Sequence, residues 1–511
     1  MKLNRVLTLA FLALFAASGL QAQSLSPDTK THWDKGTLVV EAPARAEGQT
    51  HVIGLAAPKM KTVRVAFVGL GMRGPGAVHR LAAIPGVEVA ALCDIIPERV
   101  KLQQEWLKKH GKPPAREYVG PEGYKALCES ELDAVYNTTS WDMHVPIALY
   151  AMRHGKHAFV EVPSAFTVDE CWELVKTSEE TKMHCMQLEN CCYGEAEMLA
   201  LNLVRQGLLG ETVHGEGAYI HDLRSLCYED WGKVWDPSKK KGGYAEFWRL
   251  KHNVAHKGNH YDTHGLGPVC EYMNINRGDR FDYLVSLESN QFNFELYGRT
   301  NFPNHAWKEK LKVEMGDMNT MLIKTALGKS IMVQHDVSSP RPYSRINRIT
   351  GTRGSFEGIL FMKAAEHMTT GCPCRFGWEE KNGVGVHHYF DEKKIEAIRE
   401  QYKHPLWKKA GEFAKAIGGH GGMDFLMDLR WCYCLQNGLP LDTDVYDLAS
   451  WCCLAELSEK SVRNRSASVD VPDFTDGGWK TAKPLGIVDI DLAKMGFDPA
   501  ALKADKSALN V

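Results

Sequence analysis

Gly69-Leu70-Gly71-Met72-Arg73-Gly74 fits the pattern G-x-G-x-x-G, and Asp94 stands 20 residues beyond its last glycine. Glycines so spaced let backbone N–H groups and a helix N-terminus approach a pyrophosphate, and the aspartate can accept hydrogen bonds from both ribose hydroxyls. Its charge would repel a 2′-phosphate, so the expected cofactor is NAD rather than NADP. Further on, "NTTSWDMH" (137–144), Glu161 and Asn190 each close an apolar stretch. In an open parallel sheet such positions face one crevice, where the second half of a dinucleotide lies. His252, His256, His260 and His264 recur every four residues, as metal ligands along one helix face would. Gly258-Asn259 breaks that helix, and Gly265 and Pro268 follow closely, so no metal is expected.

The elements that must position these residues alternate. "TVRVAFVGLG" (62–71) is a strand run, a helix opens at 73, and "VEVAALCD" (87–94) is a second strand. A helix at 97–110, strands at 132–140, 157–162 and 183–190, and helices at 144–155 and 167–181 complete the set. Such alternation predicts a Rossmann-type, doubly wound parallel sheet over 61–190. After a helix at 194–209 the runs at 212–221, 281–289, 319–327 and 330–338 read as longer, mostly antiparallel strands. The expected fold class is therefore α/β: the parallel sheet plus a C-terminal α+β domain (191–465) with a large open sheet, whose outer face could join subunits into a homo-oligomer. Residues 404–417 and 446–462 read as helices, 23–60 as a surface arm or linker, and 466–511 as a polar, loop-like tail.

The chain has 511 residues, 24% charged, with a formal net charge of −2. That length suits at least two domains with an ample core, and nothing in the charge favours a nucleic-acid partner. Lys2 and Arg5 precede the apolar run "VLTLAFLALFAA" (6–17) and the small residues of "SGLQAQS". The run is shorter than the ~20 residues of a membrane span, so residues 1–22 are expected to be a signal peptide, giving an exported, periplasmic or secreted protein with no membrane span. The 14 cysteines fall mostly in apolar-periodic segments without paired C-x-x-C repeats, so buried free thiols are expected rather than disulfides or zinc ligands.

Longer stretches carry a resemblance. "KHAFVEVPSA", "YIHDLR", "YDTHGLGPV", "SPRPYSRI", "HGGMDFLMDLR" and "LQNGLPLDTDVYDLASW" are similar to the NAD-dependent bacterial α-N-acetylgalactosaminidases of glycoside hydrolase family 109, within the glucose-fructose oxidoreductase and inositol dehydrogenase superfamily. The match runs from about 60 to about 465. Many sugar dehydrogenases of that superfamily carry Glu-Lys-Pro where this chain has Glu161-Val162-Pro163, and the subgroup normally lacks the lysine. The resemblance implies NAD contacts at Met72, Arg73, Asp94, Trp141, Asp142, Met143, His144, Glu161, Val162 and Asn190, beside Gly69, Gly71 and Gly74. It implies a substrate set of Tyr219, Arg249, Tyr261, Asp262, Thr263, His264 and Tyr343. Asp262 departs from the family's usual proline. The family's frequent twin-arginine export signal is also missing from "KLNRVLTL".

The implied chemistry is hydrolysis without net redox, outside the two-carboxylate scheme of ordinary glycosidases. Hydride leaves C3, the C2 proton becomes acidic, the aglycone departs from C1, water adds, and the hydride returns. NAD would stay tightly bound and be recycled in each turnover on a glycan substrate. His264 stands at an expected helix start, where the positive dipole end disfavours a second proton on the ring, and a phenol such as Tyr343 can move a proton when a cation is near. These two are the expected proton-transfer pair, with the assignment of each to C2 or O3 left open. The alternatives are a sugar oxidoreductase releasing a keto-sugar or lactone, and a non-catalytic carbohydrate-binding protein that retains NAD.

Overall fold

The computed structural model describes residues 29–229, 243–358, 374–381, 384 and 386–497. The expected signal peptide lies outside these residues. Six parallel strands form one sheet in the spatial order Arg116–Val119, Val87–Asp94, Val63–Val68, Ala134–Asn137, His157–Val160, Cys185–Gln187. The order reverses beside Val63–Val68, so a crevice opens at the carboxyl ends of this strand and its neighbours. The strands are buried on both faces, which is why they read as continuous apolar runs rather than as alternation.

The second sheet has ten strands. Its centre runs Phe281–Glu288, Asn319–Thr325, Ser330–Asp336, Thr212–Ile220 and Arg348–Gly351; the pairing is antiparallel except between Ser330–Asp336 and Thr212–Ile220. Alternate residues of these strands are buried, so one face packs on helices and the other is open. Helix Thr263–Met273 lies on the covered face against Thr212–Ile220. Gly265 and Gly217 make that approach possible, since a Cβ on Gly217 would sit 2.3 Å from Gly265 O.

Two expectations change here. The arm contributes the hairpin Thr31–Asp34/Thr37–Val40, and the tail contributes Ser468–Asp470, which joins that hairpin to Phe281–Glu288. Neither is only a loose connection. Strands of three or four residues leave little periodic signal, and the pairing of Ser468–Asp470 with Thr37–Val40 and Phe281–Glu288 joins segments far apart in sequence. The arm is also held from below: Arg45, Gln49 and Tyr446 all donate to the buried Glu179 carboxylate. Helix Met423–Asn437, buried on nearly every side, has no apolar stripe that periodicity could detect. All described cysteines are free thiols, and all but Cys374 are buried, as expected. Among the described residues no helix is long and apolar enough to cross a membrane.

Candidate functional site

The glycine loop joins strand Val63–Val68 to helix Gly74–Ala82. Gly69 has φ +89°, and a Cβ there would lie 2.8 Å from the Thr138 carbonyl carbon; a Cβ on Gly74 would lie 2.1 Å from Gly69 O. On Gly71 it would meet only Arg99 Nη1, at 3.5 Å, so this glycine borders open space. Asp94 Oδ2 accepts from Leu70 N (2.6 Å) and Oδ1 from Ile96 N (2.9 Å). A carboxylate has about four acceptor positions, so each oxygen keeps capacity for a ribose hydroxyl. Arg99 Nη1 stands 3.5 Å from Asp94 Oδ1. These groups fit a dinucleotide with a free 2′-hydroxyl.

The other expected cofactor residues divide. Met72 is exposed, and Asp142 with it. Arg73 Nε donates to Glu161 (3.2 Å) and Nη2 to Asp424 (3.2 Å), while Asn190 Nδ2 donates to the second oxygen of Asp424 (2.5 Å). Burial alone would raise the Asp424 pKa, but Arg73, His420 and Arg80 hold it well below the usual carboxylate range. The His144 ring lies between Pro163 O (2.8 Å) and Thr139 O (3.1 Å), so it braces two strand ends. Met143 is half-buried, and its carbonyl accepts from Asn137. Trp141 and Val162 belong to an aromatic cluster, with Trp141 Nε1 donating to Val162 O at 3.3 Å. Where a dehydrogenase would carry an ammonium, this crevice has a valine packed among rings.

That cluster holds the second set. Thr263–Met273 begins at Thr263, so His264 lies in the first turn of the helix. His264 Nδ1 is 2.7 Å from Glu189 Oε1. Burial pushes the Glu189 pKa up, but the charge and hydrogen bond of His264, the nearby Thr263 hydroxyl and the Cys191 N–H outweigh it, and the carboxylate ends below its ordinary range. An ionised carboxylate can only accept, so Nδ1 donates to Glu189, and in the neutral ring the lone pair is on Nε2. Tyr261 Oη is 3.4 Å from that Nε2, and the Tyr219 ring stands 5.3 Å from the imidazole.

Tyr343 is not bonded to His264. Tyr219 lies between them, 6.1 Å from Tyr343 by ring centroids. Tyr343 Oη accepts from Arg345 Nη1 (3.1 Å), and Arg345 is anchored by Glu197 (2.7 Å). Burial pushes the Tyr343 phenol up to about 12 against the opposing pull of Arg345. Tyr219 Oη and His221 Nδ1 are 3.1 Å apart, and burial, with Arg249 and His264 nearby, pushes His221 down to about 4. Arg249 is buried, stacks over Tyr261 (4.8 Å) and Trp141 (5.1 Å), and donates Nη1 to Tyr244. Its Nη2 is buried with no protein partner, a donor left for a bound molecule.

Asp262 lies in the core. Its side chain is 1% exposed, Oδ2 has no partner, and its electrostatic neighbours are Glu189 and the thiols Cys452 and Cys453. Burial raises its pKa well above the usual carboxylate value. Thr263 is also fully buried, its hydroxyl beside Glu189. The histidine series divides too: His256 leaves the helix in extended backbone, and His252, His256 and His260 gather round Phe166 instead of converging on His264. Among the described residues one group has ligand spacing, Glu189, Cys191 and His264, with ligand atoms within 4.8 Å of one another. Burial pushes the Cys191 thiol up, and Glu189 Oε1 accepts from His264 and from Cys191 N, so these groups also form a hydrogen-bond cluster. Sequence reasoning missed Glu189, Arg345, His221 and Asp424. The first two lie one and two residues from Asn190 and Tyr343, the only local signal they offer.

Residues 63–188 match the oxidoreductase family with an NAD-binding Rossmann fold, and 193–481 match the glycosyl hydrolase 109 C-terminal domain. Glycosyl hydrolase family 109 protein 3 of Phocaeicola vulgatus is 47% identical over 484 residues, covering 94% of this chain and 86% of that protein. An alpha-N-acetylgalactosaminidase of Bacteroides fragilis is 46% identical over 437 residues, 85% of this chain and 97% of the relative. Among solved structures, levoglucosan dehydrogenase in complex with NADH and levoglucosan aligns with a TM-score of 0.54 at 16% identity, over 81% of this chain and all of the other; that likeness concerns the fold.

Proposed function

The chain belongs to glycosyl hydrolase family 109 and is an NAD-dependent glycoside hydrolase, and we propose that it releases terminal α-linked N-acetylgalactosamine from glycans without net redox. The observation that carries this reading is the Glu189–His264 pair at the mouth of a dinucleotide crevice that holds Val162 instead of a lysine. Bound in the crevice, NAD would supply reversible hydride removal at C3 of the sugar, which makes the C2 proton acidic.

The chain's own groups do the rest. The imidazole held by an ionised carboxylate presents Nε2 to the site, whereas the Tyr343 oxygen is engaged by Arg345, so His264 Nε2 is assigned to the C2 proton. Tyr343, with the Arg345 guanidinium on its oxygen, is assigned to the O3 proton. Tyr261 Oη approaches Nε2 in the resting site and is displaced, or shares the proton, when sugar binds. Arg249 offers its unpartnered Nη2 to a sugar oxygen and supports the ring cluster through its stem. Trp141, Val162 and Tyr219 keep the site apolar and exclude water until the aglycone has left.

Because the hydride returns in every cycle, the protein needs no external NAD, which suits the export inferred from residues 1–22. A homo-oligomer through the open sheet is also inferred: Tyr283, Leu287 and Leu322 are 39%, 67% and 50% exposed on adjoining strands. Light scattering of the purified protein tests it, with a monomer ruling it out.

The decisive measurement of function uses an aryl α-N-acetylgalactosaminide with no NAD added. Aglycone release, no build-up of NADH absorbance and deuterium at C2 of product formed in D₂O are expected. Stoichiometric NADH with a released keto-sugar would replace this reading with that of an oxidoreductase. Product fully protonated at C2, with no isotope effect from a 2-deutero substrate, would remove the elimination route.

A further inference from the structure

Helices Pro405–Ile417 and Met423–Asn437 are joined by Gly418-Gly419-His420-Gly421-Gly422, and all of these residues hold positive φ: 97°, 84°, 46°, 73° and 105°. Glycine takes this conformation freely and histidine does not. The loop is also packed down at both ends. A Cβ on Gly419 would lie 2.6 Å from Asp424 Cβ, and one on Gly422 2.8 Å from the Ala414 carbonyl carbon. A tightly folded glycine loop thus presents a single side chain, and that side chain is held at a strained backbone position.

His420 Nδ1 lies 3.0 Å from both oxygens of Asp424 and 3.3 Å from Arg73 Nη1. Since Asp424 is ionised, Nδ1 donates to it, and Arg73 reaches the same carboxylate through Nη2. Asp424 is fully buried and also accepts from Asn190. Arg73 comes from the glycine loop after Val63–Val68, and Asn190 follows Cys185–Gln187, so one carboxylate from the second unit ties together two separate walls of the dinucleotide crevice. His420 is close enough to His221 to act on it electrostatically, which sets the loop at the boundary between the cofactor residues and the aromatic cluster.

We propose that His420 and Asp424 form a clasp on the dinucleotide site, positioning residues that hold Arg73 and Asn190 against the cofactor and slow the departure of NAD. The proposal rests on the reading of Arg73 and Asn190 as NAD contacts and adds the means of retention that a redox-neutral cycle needs.

The test follows exchange of bound NAD for excess isotopically labelled NAD in the purified holoenzyme, by mass spectrometry of the bound pool over time. The melting temperature of NAD-stripped protein is measured beside it. His420→Ala sits on a part-exposed loop and leaves the helices intact. It should raise the exchange rate about tenfold, the order expected for losing one hydrogen bond to a charged group, and the stripped protein should still melt cooperatively, so that faster exchange is not unfolding. His420→Gln, which can still donate to Asp424, should recover part of the slow exchange, and Asp424→Asn should exchange faster than His420→Ala. Exchange in both His420→Ala and Asp424→Asn within about twofold of the parent, with the parent holding NAD, overturns the clasp and leaves the cofactor site standing. A parent that neither carries NAD nor takes it up at saturation overturns the cofactor reading, and the clasp with it.

Discussion

At the dinucleotide end, Asp94 accepts from backbone N–H groups 24 and 2 residues away, and the glycines act through the space they leave empty. At the aromatic end, His264 reaches back 75 residues to Glu189, and Tyr343 depends on an arginine held by a glutamate 148 residues distant from it. The first region is made of main chain, so its chemistry is distributed over several weak donors. The second is made of side chains, each with one position and one task. A site of the first kind should decline by degrees when a side chain is cut, whereas one of the second kind should fail at a single truncation.

His264→Ala is the sharpest break. Loss of a positioned base costs about 10²–10⁴-fold in rate, and aglycone release and C2 exchange should fall together while bound NAD is kept. A near-normal rate in this variant would remove His264 from the chemistry and undo the contrast. Glu189→Gln comes next. It leaves the shape but releases the ring tautomer, and losing a hydrogen bond to a charged group costs about 1.5–3 kcal/mol, or roughly 10- to 150-fold in kcat. Unchanged kcat with raised KM would recast Glu189 as a substrate-binding group.

Asp94→Ala tests the other end. It should weaken NAD by about 1.5–3 kcal/mol, seen as lower occupancy at limiting NAD, with kcat at saturating NAD nearly intact. A collapse of kcat there would show the two regions to be coupled more tightly than their construction suggests.

An effect on stability alone concerns Glu271, on the same helix as His264. Burial, with Asp442 nearby, raises its pKa to about 8, against about 4.3 for a free glutamate. Between those values the folded state holds a proton that the unfolded chain has lost, so stability falls as pH rises, by on the order of 1 kcal/mol per unit. Glu271→Gln should flatten the decline of denaturation midpoint between pH 5 and 8. Asp424 and Asp442, both held below their usual range by arginine, act in the opposite sense: their contribution is full above the ordinary carboxylate pKa near 3.9 and is lost as pH falls below it. A wild-type midpoint flat across pH 5–8 would mean that Glu271 finds water or a partner.

Much of the molecule was legible along the chain. Buried parallel strands are continuous apolar runs, and the Rossmann unit emerged from them in order. Its glycine loop could be read because a turn, a close approach and a helix start are all local events. The thiols were legible from their apolar settings. Other features were hidden for reasons specific to each. The strands Thr37–Val40 and Ser468–Asp470 pair with each other across more than 400 residues of chain. Met423–Asn437 is buried all round and shows no amphipathic period. The four evenly spaced histidines do not share one helix face: the sequence placed the break at Gly258-Asn259, and helix Trp248–Ala255 ends a few residues earlier. Asp262, two residues before His264, is buried with one oxygen unpartnered, which its place in the sequence does not record.

What the sequence determined by itself is therefore the set of local geometries: which segments are strands, where the backbone can approach a phosphate, and that an acid follows at ribose distance. These depend on neighbours a few residues apart and on steric rules that hold in any context. What only the tertiary structure decided is which partners the charged and aromatic side chains meet. Glu189 fixes the tautomer of His264, Arg345 tends the phenol of Tyr343, and Asp424 joins two walls of the crevice. Each of these meetings is set by the packing of one sheet system against the other, and desolvation there gives them a strength that no spacing along the chain records.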